Sequence, residues 1–171
     1  ARREFHSRAT WHIATYAKPI IGAINGLAYG GGAMLSSMLD IRIGCDRTAF
    51  RFLAVRYGRV NSTWTLPLMV GTAKAKELLY TGRVVEAKEA ERIGLLNQLV
   101  PSEKLLDTAI EMAQLISEND APTVQGVKRL LHEEIGMGWR DRYDHERNAR
   151  ATWLRPNHPS ESFKEFLPRK G

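Results

Sequence analysis

The chain has 171 residues, 43% hydrophobic and 26% charged, with 25 Lys and Arg against 19 Asp and Glu. That length gives one domain or slightly more, able to bury roughly 70% of its unfolded surface without a disulfide or metal staple. It is too apolar for its net charge to be disordered, and no run of apolar residues is long enough to predict a membrane-crossing helix. The start, Ala1-Arg2-Arg3-Glu4-Phe5-His6, has neither the apolar centre of a signal peptide nor an initiator Met, so the chain reads as a fragment or processed product.

Phe5, Ala9, Ile13 and Tyr16 recur near helical period and predict a helix over 3–16, ended by Lys18-Pro19. Ile20 to Ile24 reads as a buried strand closed by the turn pair Asn25-Gly26. Gly30-Gly31-Gly32 leads into a helix over 33–39, and Asp40 to Cys45 forms the next strand. Residues 46–63 carry no clear period. From Trp64 the chain turns helical: Lys74 to Tyr80 stops at Thr81-Gly82, and Glu86 to Arg92 stops at Gly94. A strand over 95–100 ends at Pro101. Ser102 is the expected N-cap of a helix whose apolar face is Leu106, Ile110, Ala113 and Ile116. Helices over 124–135 and 139–154 follow, then a short tail helix over 163–167. Strands and helices alternating early, then helices alone, predict an α/β fold: a core over 1–100 and a helical section over 101–171.

The net charge of +6 raises nucleic acid as a partner. The cations are interleaved with acids, however, as in Lys74-Ala75-Lys76-Glu77 and Arg140-Asp141-Arg142-Tyr143-Asp144, which reads as salt-bridged, solvated helix faces. No nucleic-acid partner is therefore expected, although a basic nucleic-acid-binding module stays as an alternative. The single Cys45 excludes an internal disulfide and fits a reducing compartment, the cytoplasm. In an apparent strand, with no local feature to lower its pKa, it reads as a buried structural thiol. The five histidines show no i,i+4 metal pair, so no metal site is expected. Ser36 and Ser37 lack a Gly-x-Ser-x-Gly elbow, which argues against a serine hydrolase.

Gly30-Gly31-Gly32 is neither a P-loop nor a dinucleotide fingerprint, because the required Lys-Ser/Thr and glycine spacing are absent. A strand, three glycines and a helix start do offer backbone N–H groups able to converge on one point. Such a nest stabilises an oxyanion, for instance a thioester enolate, by ~2.7–4 kcal/mol per well-aimed donor. The other reading is that the glycines only permit close strand–helix packing. The residues alone leave both open.

Lys18-Pro-Ile-Ile-Gly-Ala-Ile-Asn-Gly-Leu-Ala-Tyr-Gly-Gly-Gly-Ala-Met-Leu, with Asp40-Ile-Arg-Ile and Ala49-Phe50, resembles the enoyl-CoA hydratase/isomerase (crotonase) superfamily. Leu79-Tyr-Thr-Gly-Arg, Ala87-Lys-Glu-Ala-Glu-Arg-Ile-Gly-Leu-Leu and Val100-Pro101 resemble the same family in the same order, and the likeness runs from about residue 15 to the C-terminus. The resemblance implies a spiral of ββα units with a helical trimerisation region, assembled as a homotrimer or hexamer. It also implies an acyl-CoA thioester substrate in fatty acid metabolism, with CoA as part of the substrate and no separate cofactor. It places the chain as the later two-thirds of a family member, Gly31 at the centre of half an oxyanion hole flanked by Gly30 and Gly32, and the other half in the family's N-terminal portion. Lys164, Phe166 and Lys170, beside Arg169, resemble the tail that helps hold CoA, although they also read as an ordinary solvated tail.

The family's two catalytic glutamates fall three residues after the middle glycine and four after the Ala-Phe pair. This chain has Met34 and Ala54 there, and neither can transfer a proton. Two-glutamate hydration is therefore not expected, and the catalytic acid and base stay unassigned. Tyr57 offers a hydroxyl but reads first as a packing residue. Arg51 or Arg56 offers a cation for an acyl carboxylate, and Asn61, Ser62 or Thr63 could orient water. An enzyme working through the enolate by decarboxylation, C–C cleavage or isomerisation is expected. A catalytically inactive family member acting in assembly or partner binding is the alternative.

Overall fold

Two pairs of short strands in succession set the architecture. Ile21–Ile24 forms β1 and Leu27–Tyr29 forms β2, followed by helix α2 at Gly31–Ser36; β3 at Ile41–Cys45 and β4 at Ala49–Arg51 then repeat the pattern. β1 pairs parallel with β3, Ile21 opposite Ile41, and β2 pairs parallel with β4, Tyr29 opposite Arg51. Each turn of chain lays its two strands on those of the turn before, in two separate sheets. That is the spiral of ββα units the resemblance implies. Asn25-Gly26 does close β1, but it is a corner between sheets rather than a hairpin. The computed structural model describes residues 2–154, with side chains from residue 8 onward. It divides into two units, Ala1–Glu118 and Asn119–Gly171.

The helix preceding the sheets, α1, spans Arg2–Ala14. After β4 the chain makes a 3-10 turn at Ala54–Tyr57, ended by Gly58 in the left-handed region at φ 60°. Helix α3 spans Leu66–Thr81. It begins well before the predicted Lys74 because two helical stretches join across Gly71, whose φ of 74° and ψ of 159° break the helical path. Gly82, at φ 55°, ends it where Thr81-Gly82 predicts. Val84–Glu86 forms β5, antiparallel to β4, followed by α4 at Ala87–Arg92 and β6 at Gln98–Val100, parallel to β3.

Ser102 does not cap the next helix. It opens a 3-10 turn, Ser102–Lys104, and its hydroxyl donates to the Asp46 carboxylate; α5 then spans Leu105–Ser117. The face of α5 also differs from expectation. Leu105, Ala109 and Met112 pack with Ile43 and Cys45 of β3, while Leu106 and Ile110 are exposed. The helix is apolar on two faces, and the sheet selects one that the residue pattern alone does not distinguish.

The larger core joins Phe50 and Phe52 to Leu66 and Leu78 of α3, Val85 of β5, and Leu95 and Leu96. Gly44 is required there by close approach, since a Cβ would lie 2.5 Å from Leu96 Cδ1. Arg83 clamps α3 and α4 together, its guanidinium 2.6 Å from both Glu77 and Glu89, and Lys74 reaches Glu77 at 2.5 Å. These contacts, with Arg140–Asp144 at 2.7 Å in the second unit, match the expected salt-bridged faces.

In the second unit, α6 spans Ala121–Glu133, capped by the Asp120 carboxylate accepting from the Thr123 amide at 2.9 Å, and α7 spans Trp139–Thr152. Both stand near their predicted positions. The tail helix expected over 163–167 lies outside the described residues. Among the described residues, no helix is long and apolar enough to cross a membrane.

Candidate functional site

Because β2 and β4 run parallel with Tyr29 opposite Arg51, the segments leaving both strands emerge at the same end of the sheet. These are Gly30 with α2, and the Ala54–Tyr57 turn. They meet directly: the Gly30 N–H donates to the Arg51 carbonyl at 2.9 Å, and the Gly30 carbonyl accepts from the Met34 N–H at 3.0 Å. Gly30 has φ 54° and ψ −109°, a conformation that costs any other residue. It swings the chain so that Gly31 opens α2. The first N–H groups of a helix have no intrahelical acceptor, so the Gly31 donor is unused by its own helix.

The contacts around the glycines bear on the packing reading. A Cβ placed on Gly30 or Gly31 meets no described atom within 4 Å, and on Gly32 its nearest neighbour is the Ala28 Cβ at 3.9 Å, an ordinary contact. Among the described residues, close packing does not require these glycines. Gly30 is required by its backbone angles, and Gly31 and Gly32 present an open, exposed backbone surface.

Met34 and Ala54 are both half-buried, one on α2 and the other at the start of the 3-10 turn. The far end of α2 is held by hydroxyls: Ser36 donates to the Gly32 carbonyl at 2.8 Å, and Ser37 donates to the Met34 carbonyl at 2.7 Å. Ser37 Oγ also lies 2.8 Å from Thr65 Oγ at the start of α3. Both serines are thus committed to holding the helix.

The remaining candidates separate. Arg51 Nε donates to the Gly82 carbonyl at 2.7 Å, which makes it a brace between β4 and the end of α3. Arg56 is exposed and lies beside Gly82. Tyr57 is 72% exposed, so the packing role expected for it is wrong: the 3-10 turn points it away from the core. Ser62 is buried, whereas Thr63 is exposed. Lys164, Phe166, Arg169 and Lys170 lie outside the described residues.

Cys45 is fully buried in β3, as expected of a structural thiol. Burial pushes the thiol up, but hydrogen bonds from Ser102, the Arg47 backbone and Thr48 outweigh it and hold it below its ordinary value. The expectation that no local feature lowers the thiol is thus corrected: Arg47 and Thr48 turn back onto Cys45 just after β3, and Ser102 is brought near by the pairing of Cys45 with Val100 of β6. Among the described residues, no cluster of His, Cys, Asp and Glu could hold a metal ion. A groove of about 650 Å³ lies among Asp46, Glu86, Lys88, Pro101 and Ser102. Glu86 pairs with Ala49, so this groove sits at the opposite end of β4 from Gly30.

The family model for enoyl-CoA hydratase/isomerase matches residues 3–170, a longer stretch than the motifs from residue 15 onward. A putative enoyl-CoA hydratase of Thermus thermophilus is 35% identical over 145 residues, covering 84% of this chain and 57% of its own length. A probable enoyl-CoA hydratase of Mycobacterium tuberculosis is 38% identical over 118 residues, covering 67% of this chain and 41% of its own. Among solved structures, an enoyl-CoA hydratase/isomerase of Cupriavidus metallidurans superposes with a TM-score of 0.89 at 26% identity, over 98% of this chain and 64% of that one. A monofunctional enoyl-CoA isomerase of Mycobacterium smegmatis superposes with a TM-score of 0.72 at 34% identity, over 78% and 65%. The chain belongs to the enoyl-CoA hydratase/isomerase family, and it spans about half the length of the curated relatives it matches.

Proposed function

We propose that the protein acts on acyl-CoA thioesters and stabilises a thioester enolate through the Gly31 N–H, without the glutamate pair of a hydratase. The open backbone face at Gly30–Gly32, which packing among the described residues does not require, carries this reading. An enolate oxygen seated there gains a preorganised donor worth ~2.7–4 kcal/mol. Met34 and Ala54 supply no proton, so the reactions that fit form the enolate without a glutamate base: decarboxylation or C–C cleavage, with isomerisation if another group moves the proton. This chemistry requires no metal or redox cofactor, since CoA enters as part of the substrate. The tail cations Lys164 and Lys170, with Phe166, are proposed to help hold it.

The same two substitutions favour a second reading, a family member kept for assembly or partner binding. Assembly has support in the second unit, where Val127 and Leu131 are exposed on α6, Ile135 is exposed in the turn after it, and Trp139 and Tyr143 are exposed on α7. We propose that such faces bury in a homotrimer or hexamer. The free thiol of Cys45 supports a reducing compartment such as the cytoplasm.

Titration with butyryl-CoA and incubation with crotonyl-CoA test the proposal together. Binding of butyryl-CoA without hydration of crotonyl-CoA is expected. Hydration at an ordinary enzymatic rate would show that other residues replace the glutamates. Failure to bind butyryl-CoA would favour the assembly reading.

A further inference from the structure

Both ends of α2 are tied down, but by different means. At its start the tie is backbone, the Gly30 N–H donating to the Arg51 carbonyl at 2.9 Å. At its end the tie is a pair of side chains. Ser37, the residue that closes α2, donates to the Met34 carbonyl at 2.7 Å, and its Oγ lies 2.8 Å from Thr65 Oγ at the entry to α3. A hydroxyl has one proton, so with Ser37 donating to Met34 the bond between the two hydroxyls runs from Thr65 to Ser37. Both residues are buried. Thr65 also stands on stiff backbone. Among the described residues, Ser62 is the non-glycine residue in the left-handed region, at φ 57°, a conformation that persists only where the surroundings fix it. The Ser62 carbonyl accepts from the Leu66 N–H at 3.0 Å, and the Thr65 carbonyl from the Leu68 N–H at 3.1 Å.

Two buried hydroxyls add little stability as a pair. Apolar groups of the same shape in both places are nearly neutral, because nothing is then left unpaired. What the hydroxyls add is direction. α2 has six residues, and its roll about its own axis decides where the Gly31 N–H lies. A corner held at one point places such a helix, and a second point sets its roll. At the Cα radius of about 2.3 Å, a slip of about 1 Å around the axis turns a helix by about 25°. That exceeds the ~10–20° within which a functional group must be held. The Thr65–Ser37 bond is the second point, and it opposes this slip.

We propose that Ser37 and Thr65 are positioning residues: their buried bond sets the roll of α2 and so aims the Gly31 N–H at the enolate oxygen. This rests on the enolate reading above. The test is the enolate-to-keto ratio of saturating acetoacetyl-CoA, read by ultraviolet difference spectroscopy, beside the Tm of each protein. Thr65→Val leaves the Ser37 bond to Met34 and removes the bond between the hydroxyls. It is expected to lower the ratio about tenfold, part of the ~10²–10³ that a lost oxyanion donor costs. Thr65→Ser restores the hydroxyl and is expected to restore the ratio. The double variant Ser37→Ala with Thr65→Val is expected to regain much of the Tm lost by the single changes while its ratio stays low, a split that a merely structural pair would not give. A ratio in Thr65→Val equal to that of the wild type, or one that recovers with Tm in the double variant, would overturn the inference and leave the enolate reading standing. A wild type that does not enrich the enolate over free acetoacetyl-CoA would overturn both.

Discussion

The Gly30 N–H donates to the Arg51 carbonyl at 2.9 Å, fastening the start of α2 to the end of β4. This bond joins the glycine turn to the strand that leads to Ala54, so the candidate oxyanion donor and the position lacking an acid belong to one rigid corner. Gly30→Ala places a Cβ on a residue at φ 54° and ψ −109° and is expected to cost ~1–3 kcal/mol. Thermal denaturation should show a Tm drop of roughly 2–4 °C for each kcal/mol.

Ser37 and Thr65 couple the other end of α2 to α3, and both residues are buried. Ser37→Ala leaves the Thr65 hydroxyl buried without this partner, at an expected cost of ~1–3 kcal/mol. In a double-mutant cycle read by urea denaturation, Ser37→Ala with Thr65→Val should cost less than the sum of the single changes.

The Arg83 clamp gives a pH dependence of stability. Hydrogen bonds from Lys74 and Arg83 hold the Glu77 carboxyl below its ordinary value, and Arg83 does the same for Glu89. A carboxyl lowered in the folded state stabilises fully above its unfolded pKa of about 4.3. That contribution is lost as pH falls through the lowered folded value. The urea midpoint should be flat near neutrality and fall in acid. Glu89→Gln should lower it at pH 7 and flatten the acid slope.

Met34→Glu and Ala54→Glu test the reading of the two missing acids. Hydration needs one group to activate water and another to deliver a proton, so each single variant is expected to leave crotonyl-CoA unchanged. The double variant is expected to hydrate it measurably, followed by loss of enone absorbance. Hydration by either single variant would show that one acid suffices.

The spiral was legible where the sequence carries strong local signals. Apolar runs marked β1 and β3, Thr81-Gly82 marked the end of α3, and the triple glycine marked the site. By contrast, β2, β4 and β5 are three residues each, too short to show a two-residue period. They are strands because their neighbours pair with them, and Leu27 of β2 is even exposed. The α5 face was misread because its apolar residues occupy two faces, and only packing against β3 selects Leu105 and Ala109. The Gly30–Arg51 bond depends on strand register, and the left-handed Ser62 has no signature in residue type. The conformational requirement at Gly30 could be read from its identity, but the strain at Ser62 could not.

The Gly31 N–H is the centre of the proposed chemistry, and one substitution removes it with little else. Proline is well tolerated at the first position of a helix, where its missing N–H has no intrahelical acceptor to lose. Gly31→Pro should therefore keep the far-UV circular dichroism of the wild type. The decisive measurement is the ultraviolet difference spectrum of acetoacetyl-CoA, an enolisable thioester, bound to each protein. Wild type should enrich the enolate, and Gly31→Pro should abolish the enrichment while remaining folded, consistent with loss of a donor worth ~2.7–4 kcal/mol. An equal enolate fraction on both folded proteins would contradict the assignment of Gly31 as the enolate-stabilising donor.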